Sequence, residues 1–150
     1  MISIKFYFKD VNSLSLKDVN GSGFDYDYFP GSIFIQANDK SIFIDWGWIP
    51  LLDFSACLLG ICEHLSINIK ATEEFEFTES EDKITLIKDH DHLEMAFSFS
   101  EEILTFNFTE FYNLVKDTYR NIMHDIINNN IGIKNNTHFS RFLGYLDAIG

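Results

Sequence analysis

Positive charge is what this chain has least of. Its 150 residues carry 11 Lys and Arg against 23 Asp and Glu, a formal net charge of −12. Such a surface repels phosphate backbones and anionic lipid headgroups, which excludes ordinary nucleic-acid binding and attachment to a membrane surface. Cysteine is equally scarce: the two present, Cys57 and Cys62, fall on one predicted helix about 140° apart around its axis. They do not bridge, so a disulfide scaffold is excluded, and both are expected as reduced, buried thiols in a cytoplasmic setting. Two prolines and eight glycines build no interdomain linker, so residues 1–150 are read as a single domain. Long apolar runs are missing as well. The longest, Ile49 to Cys62, is interrupted by Asp53 and falls short of the roughly 20 residues a membrane span requires. Residues 1–8 alternate like a strand and lack the charged region, apolar run and cleavage site of a signal peptide, so export by that route is not expected.

What the chain has in abundance is material for a core: 46% of it is hydrophobic and 16 residues are Phe, enough to offset the entropy of folding. Residues 2–8 put Ile2, Ile4, Phe6 and Phe8 on one face and Ser3, Lys5 and Tyr7 on the other, a half-buried strand. Residues 9–31 form a long connection, with a short strand around Leu14 and Leu16. Ser32 to Ala37 and Lys40 to Trp46 flank Asn38-Asp39, a pair that tolerates left-handed turn geometry, and predict a tight hairpin. Pro50 suits the first turn of a helix running to about Ser66, apolar over a broad arc. Four strands follow, about 73–78, 82–88, 92–99 and 103–108, with short separators that imply an antiparallel meander. In the third, Leu93, Met95, Phe97 and Phe99 face the core. Thr109 is the expected N-cap of a helix over about 109–129, and Thr137 that of a terminal helix carrying Phe139, Phe142 and Leu146. The fold class is therefore α+β: a mainly antiparallel sheet of six to seven strands, hairpin plus four-strand meander, packed by one central helix and two C-terminal helices.

The charge has a location. Residues 73–102 hold eleven acids and two bases, Lys83 and Lys88, and so carry −9 of the −12. Glu74 and Glu76 alternate with Phe75 and Phe77, and Glu94 opposes the apolar side of its strand, while the remaining acids sit at turns. A carboxylate-rich face and its loop tips attract a basic protein and speed its encounter; the same acids also serve simply to solvate an open sheet. A second candidate contact is Asp25-Tyr26-Asp27-Tyr28, where amphipathic aromatics alternate with carboxylates. Trp46 and Trp48 either join such a patch or close the edge of the core.

Catalytic signatures are missing. No nucleophile elbow, phosphate-binding loop, dinucleotide fingerprint or His-Glu-x-x-His pair occurs. His90, His92 and Glu94 have strand spacing for a metal, but the string falls at a predicted turn and reads better as a polar hairpin. Cys62 and His64 point about 200° apart on a helix and form no thiolate–imidazole pair. His124 and His138 are expected as surface or capping residues. No catalytic residue, metal or cofactor is assigned, and the chain is read as a binding protein rather than an enzyme.

In size, acidity and soluble cytoplasmic character the chain resembles the small acidic immunity proteins of bacterial toxin systems, including those that protect against contact-dependent growth inhibition. That resemblance covers overall type, not a motif. It implies a protein that binds and neutralises a cognate toxin, for instance a nuclease, by covering a basic cleft with carboxylates in place of phosphates. The contact candidates are Asp25, Tyr26, Asp27 and Tyr28 together with Glu79, Glu81, Asp82, Asp89 and Asp91. The alternative is a small ligand-binding module, with an apolar pocket between the long C-terminal helix and a curved sheet among Phe97, Phe99, Phe106, Phe108 and Phe111.

Overall fold

The computed structural model describes residues 1–9, 29–130 and 132–150. It is α+β, with seven strands in two antiparallel sheets and three α-helices among the described residues. The first sheet has the order β1-β2-β3, with β1 Ile2–Phe8, β2 Pro30–Ala37 and β3 Lys40–Pro50; the second is the meander β4-β5-β6-β7, Lys70–Glu76, Lys83–Asp89, His92–Phe97 and Ser100–Asn107. Helix α1, Leu51–Ser66, joins the sheets, and α2, Phe108–Asn129, follows β7. A 3₁₀ turn at Ile133–Asn135 leads to α3, Ser140–Ala148. The expected strand around Leu14 and Leu16 lies outside the described residues.

Local chemistry accounts for most of these elements. The β2–β3 turn has Asn38 in the left-handed region, φ 58°, where Asn is tolerated because its short side chain bonds locally. The β5–β6 turn does the same with His90, φ 56°. Inward-facing Ile33, Ile35, Ile42 and Ile44 are buried, as are Ile84, Leu86, Leu93, Met95, Leu104 and Phe106 of the meander. Helix α1 buries Leu51, Leu52, Phe54, Leu58, Leu59, Cys62 and Leu65, a broad arc because it packs at once on α2, on β4 and on β2 and β3. Helix α2 buries Phe111, Val115, Tyr119, Ile122 and Ile126, the stripe of a helix with one core face. These side chains form one continuous cluster spanning both sheets and all three helices.

Several expectations are corrected. Phe99 is not in the third meander strand; Phe97 pairs with Ser100, leaving Ser98-Phe99 as a tight turn and Phe99 half-buried outside the strand. Thr109 does not cap α2. Asn107 does, its Oδ1 accepting from the Glu110 amide at 3.0 Å, because the strand runs directly into the helix and Thr109 is turned to Asp91 instead. Pro50 is the extended residue before α1, not part of its first turn. Asn136, not Thr137, receives the amides of His138 and Phe139 ahead of α3. Cys62 is buried as expected, but Cys57 is exposed: two positions so far apart around a helix cannot both face one core. His124 and His138 are at the surface.

Candidate protein-binding surface

The two sheets meet along β3 and β7, and the meeting point is shaped by a distortion in β3. Gly31 pairs with Ile49 and Ile33 with Ile44, so extra residues bulge from β3 between Asp45 and Trp48. Gly47 permits this with φ 75°, a conformation that costs a residue with a Cβ on the order of 1–2 kcal/mol. Its amide donates to Ser32 Oγ at 3.0 Å, and that hydroxyl donates to Asp45 at 3.2 Å. Trp46 and Trp48, on either side of Gly47, are stacked with ring centroids 5.1 Å apart and planes 15° apart. Trp46 meets Phe77 and Phe99 edge-on at 5.0 and 4.8 Å. Both indoles and Phe99 remain half-buried, so the junction is at once the closure of the core and an aromatic surface.

Carboxylates surround it. In a meander, alternate turns lie at the same end, so the β4–β5 connection (77–82) and the β6–β7 turn (98–99) come together here. They are tied directly: Ser98 Oγ donates to Asp82 at 3.1 Å and accepts from the Lys83 amide at 2.8 Å. This end therefore gathers Glu76, Glu79, Glu81, Asp82, Glu101 and Glu102, with Lys83 the base among them. Lys83 is held at 3.1 Å by Glu74, and among the described residues the tip acids form no ion pair. The acidity continues down a groove of about 520 Å³ between α1 and β4, lined by Asp53, Cys57, His64, Glu73, Glu74 and Glu76. His64 Nδ1 and Glu73 pair across it.

The other candidate residues are placed differently. Asp89 and Asp91 belong to the opposite end of the meander, separated from Glu79, Glu81 and Asp82 by the length of the strands. Both are engaged within the fold. His90, hydrogen-bonded to Asp89, and the ammonium of Lys70 hold its carboxyl below the usual carboxylate range. Asp91 accepts from Asn107 Nδ2 at 2.6 Å and Thr109 Oγ1 at 3.0 Å, and these bonds likewise lower its carboxyl. Its role is to fasten the β5–β6 turn to the start of α2. Asp25, Tyr26, Asp27 and Tyr28 lie outside the described residues. His90 occupies the turn and His92 approaches Glu94 at 3.5 Å on the outer sheet face; no cluster of three or more His, Cys, Asp or Glu arranged to hold a metal occurs among the described residues.

The meander's alternation alone implies that Glu101, Glu102 and Phe99 share an end with the Glu79–Asp82 turn, but only once the third strand ends at Phe97 rather than Phe99. No described helix is long and apolar enough to cross a membrane. Comparison with protein-family models, curated proteins and solved structures yields no match.

Proposed function

We propose that this chain is a non-enzymatic protein-binding module of the immunity type, which neutralises a basic partner by covering its active cleft. The observation that carries the reading is the joining, at one end of the meander, of a half-buried aromatic cluster and a rim of exposed carboxylates. Interfaces concentrate their energy in a few aromatic and arginine anchors ringed by polar contacts that exclude water. Trp46, Trp48 and Phe99 supply such anchors, and Glu79, Glu81, Glu101 and Glu102 supply a rim fitted to Lys and Arg. A cleft that binds phosphates is basic and meets that rim with complementary potential, which sets on-rate and specificity. The partner of this reading is a cognate toxin, such as one that cleaves nucleic acid, met in the cytoplasm.

The ligand-binding alternative looks for a cavity among Phe97, Phe99, Phe106, Phe108 and Phe111, of which Phe97, Phe106, Phe108 and Phe111 are buried in the core cluster. Phe106 also lines a groove of about 370 Å³ with Ile2, His92 and Glu110; a co-purified apolar ligand would favour this alternative.

The decisive experiment is co-purification of the chain with the product of its adjacent open reading frame at low salt. Retention is expected there, with loss in the Glu79→Lys/Glu81→Lys/Glu101→Lys variant and weakening as salt shortens the screening length to about 8 Å at physiological ionic strength. Undiminished retention by that variant refutes this surface, and no retention at low salt refutes the reading.

A further inference from the structure

Three grooves on the described surface carry carboxylates. The one between α1 and β4 has Asp53, Glu73, Glu74 and Glu76, one beside β1 has Asp125, and one at the far end of the meander has Asp91 and Glu110. A fourth, of about 350 Å³, reverses the pattern. It lies between the C-terminal half of α2, the 3₁₀ turn and α3, and its described walls are Arg120, His124, Ile127, Asn128, Lys134 and Leu146. No carboxylate stands among them, although the chain has 23 acids against 11 bases.

Helical spacing sorts the charges. Arg120, His124, Ile127 and Asn128 recur at three- and four-residue intervals and form one stripe of α2, whereas Asp125 belongs with Thr118, Asn121 and Ile122 to the stripe beside β1. Asp117 is paired with Arg120 at 2.6 Å, and the same guanidinium donates to the Ile149 carbonyl at 2.7 Å. Those two bonds fix the Arg120 head between α2 and the end of α3. They leave three of its five N–H groups without a protein acceptor among the described residues. The side chains of His124 and Lys134 have no hydrogen-bond or ion-pair partner among the described residues. Carbonyls at a helix C-terminus oppose an anion, but two near this one are occupied: the Asn129 and Asn130 amides donate to the Asp125 and Ile126 carbonyls, each at 2.8 Å.

We propose that this cleft binds a small organic anion, one carboxylate or phosphate group on an apolar body. The head group follows from the positioned guanidinium, which takes oxyanions through paired N–H bonds, with Lys134 and His124 as further donors. The body follows from Ile127 and Leu146, half-buried side chains packed on the core that give the cleft its apolar wall. A free inorganic anion would leave that wall wet, and a neutral alkyl chain would leave the guanidinium unpaired. A volume of about 350 Å³ is at the small end for ligand sites. A polyanion such as nucleic acid extends beyond the cleft and meets the net charge of −12, so the occupant is a small molecule. The cleft shares no residue with the carboxylate rim or the aromatic cluster at the meander, so the two proposals fail separately.

Titration calorimetry of the whole chain with octanoate, octyl phosphate, octanol and inorganic phosphate, read alongside amide NMR shifts, tests this. Octanoate or octyl phosphate is expected to bind with a dissociation constant of about 1 mM or below, and the tighter of the two names the head group. Octanol and inorganic phosphate should each bind about tenfold more weakly, and the shifts should fall on Ile127, Asn128, Lys134 and Leu146. Lys134 is an exposed residue of the 3₁₀ turn. Lys134→Glu removes one attraction and adds one repulsion, so it should weaken the anion about tenfold and leave octanol unchanged, while Lys134→Arg retains both. Leu146→Ala should weaken anion and octanol alike, by about threefold. No saturation by either alkyl anion at about 10 mM, octanol binding as tightly as the anions, undiminished anion binding by Lys134→Glu, or shifts confined to residues outside the cleft would overturn the proposal.

Discussion

One added methyl group, placed at three glycines, should give three different outcomes. At Gly60, within α1, a Cβ meets nothing within 4 Å, so Gly60→Ala gains only helix propensity and stabilises by about 0.8–1 kcal/mol. At Gly47 a Cβ again meets nothing within 4 Å, but φ is 75°; the cost is purely conformational, about 1–2 kcal/mol. At Gly31 the Cβ would stand 2.1 Å from the Tyr7 carbonyl oxygen and 2.6 Å from Leu51 Cδ1. Backbone cannot yield as a side-chain tip does, so β1 must part from β2 there and the loss exceeds the roughly 1–3 kcal/mol of ordinary overpacking. For a chain of this size each kcal/mol moves Tm by about 2–4 °C. Thermal melts should therefore rank Gly60→Ala above the parent, Gly47→Ala a few degrees below it and Gly31→Ala lowest. Because Gly47 sits in the left-handed region between the stacked Trp46 and Trp48, its Ala variant should also alter the near-ultraviolet circular dichroism of the indole pair, which Gly60→Ala leaves unchanged. If Gly47→Ala raises Tm as Gly60→Ala does, the left-handed bulge is wrong.

The two thiols should separate cleanly under alkylation: Cys57 reacts in the native protein, whereas Cys62, buried and pushed up to about 12 by desolvation, reacts only on unfolding, and equal rates would contradict the packing of α1. Tyr119→Phe removes the 2.7 Å bond from its buried hydroxyl to the Phe142 carbonyl, and should cost about 1 kcal/mol, seen as a Tm lower by about 2–4 °C; burial raises the pKa of that hydroxyl, so its ionisation by ultraviolet absorbance should coincide with alkaline unfolding. Asp91→Ala unties the β5–β6 turn from α2. The Asp91 carboxyl is held below its ordinary value in the folded state, so its contribution is complete above the unfolded pKa near 4 and is lost as pH falls through the folded one. Melts of parent and variant should differ at pH 7 and converge in acid, and a difference that grows in acid would reverse the assignment.

The alternation of residues 2–8, the Asn38-Asp39 turn and the alternating faces of Glu74–Phe77 were legible because strand side chains have a period of two and turn residues have intrinsic backbone preferences. Boundaries were less so. Nothing local tells whether Phe99 ends a strand or forms a turn; the pairing of Phe97 with Ser100 decides it. Likewise Asn107 and Thr109 are both capable caps, and the position of Asp91 across the sheet assigns their roles.

By itself the sequence determined the net charge, its concentration in residues 73–102, the α+β class and the residues available for a core, since composition and periodicity are properties of the chain alone. Which acids act together was decided only in three dimensions. Glu79, Glu81 and Asp82 share an end with Glu101, Glu102 and the stacked tryptophans because alternate meander turns coincide and Trp46 packs against Phe77 and Phe99 there. Asp89 and Asp91, of the same residue type and close by in sequence, are carried to the far end and tied into the fold. The number of charges follows from the chain, but their effect depends on separations of a few ångströms against a screening length of about 8 Å, and only the folded topology sets those separations.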